Sequence, residues 1–153
     1  DFATRASRTE EYIMVMRALW SEGISEFSGK TVELAPCHFN PKPVQKPYPP
    51  IIFGGESDPA LRRVARIGDG WYGYDLTPEA LVERLPGLDA ALAASGRSRR
   101  DIQLIVGPNR HPVNAETIAA YAAAGTDQLV VPVFAGSIEK LASRIDVLMS
   151  NQT

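Results

Sequence analysis

The 153-residue sequence has a single cysteine, so no disulfide can form within the chain. It has no apolar run of 18 residues, which is about the length that a membrane-spanning helix needs. It also lacks an excess of positive charge: 16 Lys and Arg against 18 Asp and Glu give a net charge of −2. This balance argues against nucleic acid or an anionic membrane surface as the main partner.

Several sequence signatures of catalytic or binding sites are absent as well. No G-x-G-x-x-G motif follows a predicted strand, which leaves a Rossmann dinucleotide site unsupported. No G-x-S-x-G elbow and no patterned set of metal ligands occur. We interpret Cys37, beside His38, as a loop residue, and the cluster of Arg97, Arg99 and Arg100 as solvated surface.

The first third of the chain predicts a helix, a hairpin and a stiff connector. Ser7 and Glu10 have the spacing of a capping box, so we expect a helix from about Ser7 to Ser21 that ends near Gly23. A glycine turn with alternating residues over 27–34 favours a short hairpin or an edge strand. Residues 36–50 hold half of the twelve prolines and predict an extended segment without regular structure. We therefore divide the region into a leading helix (1–23) and a hairpin with connector (24–50).

Residues 51–153 repeat a strand followed by a helix four times. We predict strands at 51–53, 71–74, 102–106 and 129–133, with helices opened by Asp58-Pro59, Thr77-Pro78, Asn114 and Ser137. Pro86 falls inside the second of these helices and should kink it. Short apolar strands separated by helices indicate parallel pairing with right-handed crossovers.

The predicted fold class is α/β, the C-terminal half of a (β/α)₈ TIM-type barrel in one partial domain. An open doubly wound sheet remains the alternative. A complete barrel takes roughly 250 residues. We therefore expect either that an N-terminal part is missing or that two short chains complete each other.

Ligands of parallel α/β proteins bind beyond the carboxyl ends of the strands. The most informative such segment is Gly54-Gly55, which runs into the start of a helix. Glycines allow close approach of the backbone, and free N–H groups at a helix N-terminus favour phosphate. The alternative is a tight turn that binds nothing, and Glu56 opposes an anion site if its carboxylate points inward.

Other residues at predicted strand ends give weaker signals. Trp71 is either a core residue or the wall of a site for a flat ring. Glu56, Asp69 and Asp75 are candidate acids or bases, with a structural hydrogen bond to its loop as the alternative for Asp69. Arg110 could contact a carbonyl or phosphate, whereas we interpret His111 as a surface residue.

The order of several motifs resembles one family, the luciferase-like monooxygenases. The resemblance is strongest from residue 5 to about 75, where the matching segments are Arg5, Arg8 and Glu11, Arg17-Ala18-Leu19-Trp20, Phe27, Gly29, Pro41-Lys42-Pro43-Val44-Gln45, Pro49 to Gly55, Ala60-Leu61-Arg62-Arg63 and Gly68-Asp69-Gly70-Trp71.

This resemblance implies a (β/α)₈ barrel that binds a flavin-type cofactor and a small organic substrate. The deazaflavin coenzyme F-420 is the expected cofactor, with FMN as the alternative. The residues implied at the cofactor are Phe53, Gly54, Gly55, Glu56, Trp71 and Tyr74, with the two glycines donating to the phosphate. The family's acid/base residues lie mostly in an N-terminal half that this sequence lacks, so no catalytic residue is assigned.

The preferred hypothesis is an oxidoreductase that transfers hydride, incomplete in this chain. A second hypothesis is a non-catalytic half-barrel that works by self-assembly, because exposed sheet edges favour pairing. A third is an unrelated barrel enzyme acting on a phosphorylated metabolite. We expect a cytoplasmic homo-oligomer, with pairing of half-barrels as one form.

Overall fold

The computed structural model describes residues 4–150, and the chain forms two units, Asp1–Pro49 and Pro50–Thr153. In the first unit, helix α1 spans Arg5–Trp20. The predicted capping box is wrong, because Ser7 lies in the first helical turn and Thr4 occupies the N-cap. The Ser7 hydroxyl instead donates to the Thr4 main-chain oxygen at 2.9 Å. The helix begins before Ser7, so the Ser-x-x-Glu pattern does not form its N-terminal cap.

The predicted hairpin consists of strands β1 (Ser25–Ser28) and β2 (Glu33–Cys37), which pair antiparallel. Its turn is fastened to α1 by the carboxylate of Glu11. That carboxylate accepts bonds from the backbone N–H groups of Lys30, Thr31 and Val32 at 2.8–3.1 Å and from the Thr31 hydroxyl at 2.9 Å. These donors, led by the Thr31 backbone N–H, lower the pKa of Glu11.

Residues 38–50 of the proline-rich connector have no regular structure, as predicted, whereas Pro36 and Cys37 belong to β2. The connector packs along the end of α1. Lys42 Nζ donates to the Leu19 main-chain oxygen at 2.9 Å, which covers a carbonyl of the last turn. The Arg17 guanidinium lies 4.6 Å from the centre of the Tyr48 ring. The Asn40–Pro41 and Lys46–Pro47 peptide bonds are cis.

The second unit alternates strands and helices around one sheet. Its strands pair in parallel in the order β3-β4-β5-β6, as the sequence predicts for half of a (β/α)₈ barrel. The elements are β3 (Ile52–Gly54), α2 (Asp58–Ile67), β4 (Gly70–Tyr74), α3 (Pro78–Ala94), β5 (Gln103–Gly107), α4 (Ala115–Ala123), β6 (Gln128–Leu129) and α5 (Ile138–Ser150).

The two faces of this sheet differ in burial. Phe53, Trp71 and Leu104 are register partners, so their side chains share one face, and all three are buried. Phe53 packs at the end of α2, since a Cβ on Gly68 would lie 3.0 Å from its ring. Tyr72 and Ile105 belong to the opposite face and are half-buried. The helices therefore cover the face that holds the aromatic core.

The helix starts follow the sequence with one shift. Ser57, not Asp58, is the N-cap of α2, which places the proline at the second helical position. Thr77 caps α3 by accepting the Ala80 N–H at 3.2 Å, and Asn114 caps α4. Helix α3 runs without a break through Pro86, and its leucines at 81, 85, 88 and 92 are buried. In residues 4–150 no helix is both long and apolar enough to cross a membrane.

Strand β6 is shorter than predicted. Only Gln128–Leu129 pairs with β5, although the apolar run continues to Val133. Pro132 has no N–H to donate to a ladder, and among the described residues no strand pairs on the far side of β6. The apolar residues after Leu129 therefore do not continue the parallel ladder as a strand.

The amino ends of the strands are tied by two aspartates in equivalent positions. Asp69 precedes β4 and its carboxylate accepts the Ile51 N–H at 2.8 Å. Asp127 precedes β6 and accepts the Leu104 N–H at 2.7 Å. In each case the aspartate's own N–H donates back to the same residue, at 2.8 and 2.9 Å. Each carboxylate thus fixes the start of the neighbouring strand.

Two of the three clustered arginines, interpreted above as solvated surface, have structural partners. Arg97 Nη1 donates to the main-chain oxygens of Ala65 and Gly68 at 3.0 and 2.8 Å, at the carboxyl end of α2. Arg99 binds Asp89 through Nε and Nη2 at 2.8 and 2.9 Å. Only Arg100 keeps the predicted exposed position.

Candidate functional site

The carboxyl ends of β3, β4 and β5 form a continuous edge, because the three strands are parallel neighbours. We call this region the carboxyl edge and define it by the segments 54–57, 74–77 and 107–111. Hydrogen bonds join each segment to the next. The edge is therefore a connected structure, and it contains every residue predicted at the cofactor except Phe53 and Trp71.

The glycine loop after β3 has a backbone that requires glycine at one position. Gly55 has φ +102°, and a Cβ there would lie 3.1 Å from the Cβ of Ala60. Gly54 is exposed, and a Cβ at that position would make only an ordinary contact with the Tyr72 main-chain oxygen at 3.8 Å. Gly55 is thus required by the backbone conformation of the loop. At Gly54, which has no side chain, the backbone faces open space.

The loop leads into an α2 N-terminus that keeps hydrogen-bonding capacity. The side chain of the N-cap residue Ser57 makes no capping hydrogen bond. Pro59 has no N–H, but the N–H groups of the other first-turn residues point out of the helix end. The donors and the positive end of the helix dipole suit a phosphate group.

Trp71 and Phe53 support the loop from behind. The Trp71 side chain is fully buried, and its Nε1 donates to the Gly55 main-chain oxygen at 3.0 Å. Phe53, also buried, lies on the same face of the sheet. Neither ring has the exposed surface that a direct contact with a cofactor needs. Both residues can act at this site only by supporting the glycine loop.

Glu56 and Tyr74 link the first two segments of the edge. Glu56 Oε1 accepts the Tyr74 N–H at 2.9 Å, so this carboxylate is turned toward the end of β4. Arg84 donates to the Glu56 main-chain oxygen and binds Asp58 Oδ1 at 2.9 Å. The Tyr74 side chain is 60% exposed and is the largest exposed aromatic surface at the carboxyl edge.

Asp75 links the second and third segments. Its N–H donates to the Gly107 main-chain oxygen at 2.7 Å. Its carboxylate is 8% exposed and accepts bonds from Arg110, from Nε at 2.7 Å, from Nη2 and from the backbone N–H at 3.1 Å. The Arg110 guanidinium lowers the pKa of Asp75. His111 Nε2 lies 3.1 Å from the Asp75 main-chain oxygen.

Only a weak sequence signal marks the second and third segments. Asp75 and Asn109 adopt φ of +56° and +47°, a conformation that Asp and Asn tolerate better than other non-glycine residues. Such backbone strain concentrates at functional sites. An Asp directly after one strand and an Asn after the next are a usable signal, but only once the strand ends are known.

The remaining candidates lie elsewhere. Asp69 is at the opposite, amino end of the sheet, so its prediction as a site acid or base is wrong. The interpretation of Cys37 as a loop residue is wrong, because Cys37 is the last residue of β2 in the first unit, and His38 follows it. Within residues 4–150 no three His, Cys, Asp or Glu side chains come together in a way that could hold a metal ion.

Comparison with known proteins gives a consistent result. Residues 1–146 match the model of the family described as luciferase-like monooxygenase. Pyrimidine monooxygenase RutA of Allorhizobium ampelinum is 37% identical over 68 residues, which are 44% of this chain and 18% of that protein.

Two solved structures share the fold at low sequence identity. The monooxygenase RslO1 from Streptomyces bottropensis superposes with a TM-score of 0.73 at 15% sequence identity. That match covers 99% of this chain and 61% of the RslO1 chain. The coenzyme F420-dependent tetrahydromethanopterin reductase from Methanopyrus kandleri superposes with a TM-score of 0.74 at 14% sequence identity. That match covers 96% of this chain and 62% of the reductase chain. This chain therefore spans about three fifths of the length of each of these two solved proteins.

Proposed function

The chain belongs to the luciferase-like monooxygenase family, and on that premise we propose that it forms the cofactor-phosphate half of an oxidoreductase that transfers hydride. The observation that supports this most is the glycine loop, braced by Trp71 and open at the N-terminus of α2. The ligand is F-420, with FMN as the alternative. Either cofactor, when bound, supplies the hydride chemistry, while the protein supplies binding and orientation.

The chain's own residues have distinct parts in this proposal. The backbone at Gly54 and Gly55 and the first turn of α2 bind the phosphate, because a bare backbone lets the N–H groups approach it closely. Ser57 donates its hydroxyl, which makes no capping bond. Glu56 stays clear of the phosphate because its carboxylate is held by the Tyr74 N–H. The exposed Tyr74 ring flanks the cofactor.

F-420 is preferred because the sequence motifs resemble the deazaflavin-dependent branch. The F420-dependent reductase, at a TM-score of 0.74, adds support at the level of the fold. This chain spans 62% of that reductase, and in this proposal further strands complete the hydride-transfer site. The acid/base residues belong to the strands that complete the barrel.

Titration with three ligands tests this proposal: F-420, FMN and riboflavin, which lacks the phosphate. We expect saturable binding of F-420 or FMN, followed by fluorescence, and much weaker binding of riboflavin. If neither phosphorylated cofactor binds saturably to the chain or to a longer protein that contains it, the proposal is wrong. Binding of inorganic phosphate without affinity for either cofactor would instead favour an enzyme for a phosphorylated metabolite.

Self-assembly is a second candidate function, and the open side of β6 favours it. An apolar groove of about 430 Å³ lies between α4, β6 and α5, lined by Ile118, Leu129 and Ile145 among others. Nearby on α5, Ile138 and Met149 are 82% and 59% exposed. Surfaces of this kind favour association. A single sedimenting species with the 16.6 kDa mass of one chain would exclude this function.

A further inference from the structure

A second cavity, of about 420 Å³, lies beside the third segment of the carboxyl edge. Most of its wall is apolar, from the stretch that follows β6 and from α5, and includes Val131, Val133 and Leu148. Polar groups come from His111 and Asn109, in the turn after β5, and from Ser143 and Arg144 on α5. A mostly apolar wall with a few polar groups is the usual composition of a small-molecule site.

The hydrogen bond of His111 determines which ring nitrogen a ligand can use. Nε2 lies 3.1 Å from the Asp75 main-chain oxygen. A carbonyl oxygen only accepts hydrogen bonds, so Nε2 must carry the proton in that bond. In the neutral ring Nδ1 is then an acceptor. The Asp75 carboxylate, with Oδ1 3.7 Å from Nε2, favours the same arrangement.

His111 is held in place by a well-anchored neighbour. Asp75 is fixed by its bonds to Gly107 and Arg110, and its backbone keeps a positive φ that most residues avoid. The backbone of His111 is fixed too, since its N–H donates to the Pro108 main-chain oxygen at 3.0 Å. The charged groups around the imidazole include Asp75, Arg110 and Arg144.

We propose that this cavity binds a small, largely apolar organic molecule with one hydroxyl or N–H group, whose hydrogen is accepted by His111 Nδ1. The inference deepens the proposed function: it rests on the carboxyl edge being the site of the reaction, and it names the class of substrate. His111 is then a binding residue, and Asp75 is the positioning residue that sets its tautomer.

The test compares two probes of similar size, benzyl alcohol and toluene, by NMR on the ¹⁵N-labelled chain without cofactor. We expect the free protein to show His111 protonated at Nε2 in its neutral form. Benzyl alcohol should shift the Nδ1 resonance saturably and bind about tenfold more tightly than toluene, the effect of one hydrogen bond. An Nδ1-protonated tautomer, or equal affinities for the two probes, would overturn the proposal.

Variants separate the role of His111 from a general effect on folding. His111→Phe keeps an aromatic ring and should lose the preference for benzyl alcohol, because its hydroxyl then has no acceptor. His38→Phe, at the only other histidine, should behave as the parent. A retained preference for benzyl alcohol in His111→Phe would contradict the proposal. If His111→Phe does not fold, the tautomer and the two affinities of the parent protein decide.

The outcome is distinguishable from that of the cofactor proposal. Absence of flavin affinity in a protein that still prefers benzyl alcohol would contradict the proposed function and leave the His111 site standing. Saturable FMN or F-420 binding with no preference between the probes would contradict the His111 site and leave the proposed function standing.

Discussion

The indole Nε1 of Trp71 donates to the main-chain oxygen of Gly55 at 3.0 Å, which joins the buried core of the second unit to the loop at its carboxyl edge. The two residues are 16 positions apart in sequence, one on β4 and the other directly after the neighbouring strand β3. The loop conformation therefore depends on a side chain that is itself buried away from any ligand.

Trp71→Phe should weaken cofactor binding, beyond any effect that the change has on the stability of the fold. Phenylalanine fills most of the buried space but cannot donate to Gly55. A net hydrogen bond contributes about 0.5–1.5 kcal/mol, so we expect an affinity reduced by about 2- to 10-fold. Fluorescence titration with FMN or F-420 measures it, with Trp20→Phe, in α1, as the control. Unchanged affinity in Trp71→Phe would show that the loop needs no such support.

Gly55→Ala should both destabilise the protein and weaken cofactor binding. The residue would have to keep φ +102° with its Cβ 3.1 Å from that of Ala60. Strain of this kind costs about 1–3 kcal/mol. Gly23→Ala is the matched control, because Gly23 also has a positive φ of +82° but no atom within 4 Å of a Cβ. Urea unfolding should show loss of stability in both variants, whereas only Gly55→Ala should lose affinity. Equal cofactor affinity in the two variants would contradict the role of the loop.

The framework of this site could be predicted from sequence, but its ligand-facing surface could not. Strand and helix order followed from apolar runs and from caps at Thr77 and Asn114, which are local signals. Whether Trp71 faces a ligand or the helices depends on the register between strands, which one sequence does not specify. The length of β6 was overestimated for the same reason, since pairing is decided by neighbours rather than by the run up to Val133.

Glu11→Gln should remove part of the acid sensitivity of the first unit. The folded pKa of Glu11 is lowered by its bonds to the turn, so its stabilisation is present above the unfolded pKa of about 4.3. It is lost as pH falls through the lower folded pKa. The variant should therefore be less stable than the parent at pH 7, and the difference should shrink as the pH falls below about 4.3.

Thermal unfolding across that pH range measures the effect of Glu11→Gln. Glu26→Gln, at an exposed position of β1, is the control and should follow the parent. A constant difference between Glu11→Gln and the parent at every pH would mean that the carboxylate's charge does not matter.

Arg97→Gln should destabilise the second unit. The guanidinium binds carbonyls at the end of α2 and the Asp101 main-chain oxygen at 2.8 Å. Hydrogen bonds to charged groups contribute about 1.5–3 kcal/mol, and we expect a loss in that range. Arg100→Gln, at an exposed position three residues along the chain, is the control and should stay within about 0.5 kcal/mol of the parent. Equal stability of the two variants in urea would contradict the capping role of Arg97.

The paired aspartates at the amino ends of the strands have a consequence for how this protein can change over evolution. Asp69 and Asp127 set the strand starts with bonds that involve no residue of the carboxyl edge. Alignment of the strands is thus decoupled from the loops that meet ligands. Substitution of an exposed side chain at the carboxyl edge, such as Tyr74, leaves these bonds at the strand starts intact, so a lineage could acquire new ligand preferences while inheriting the same scaffold.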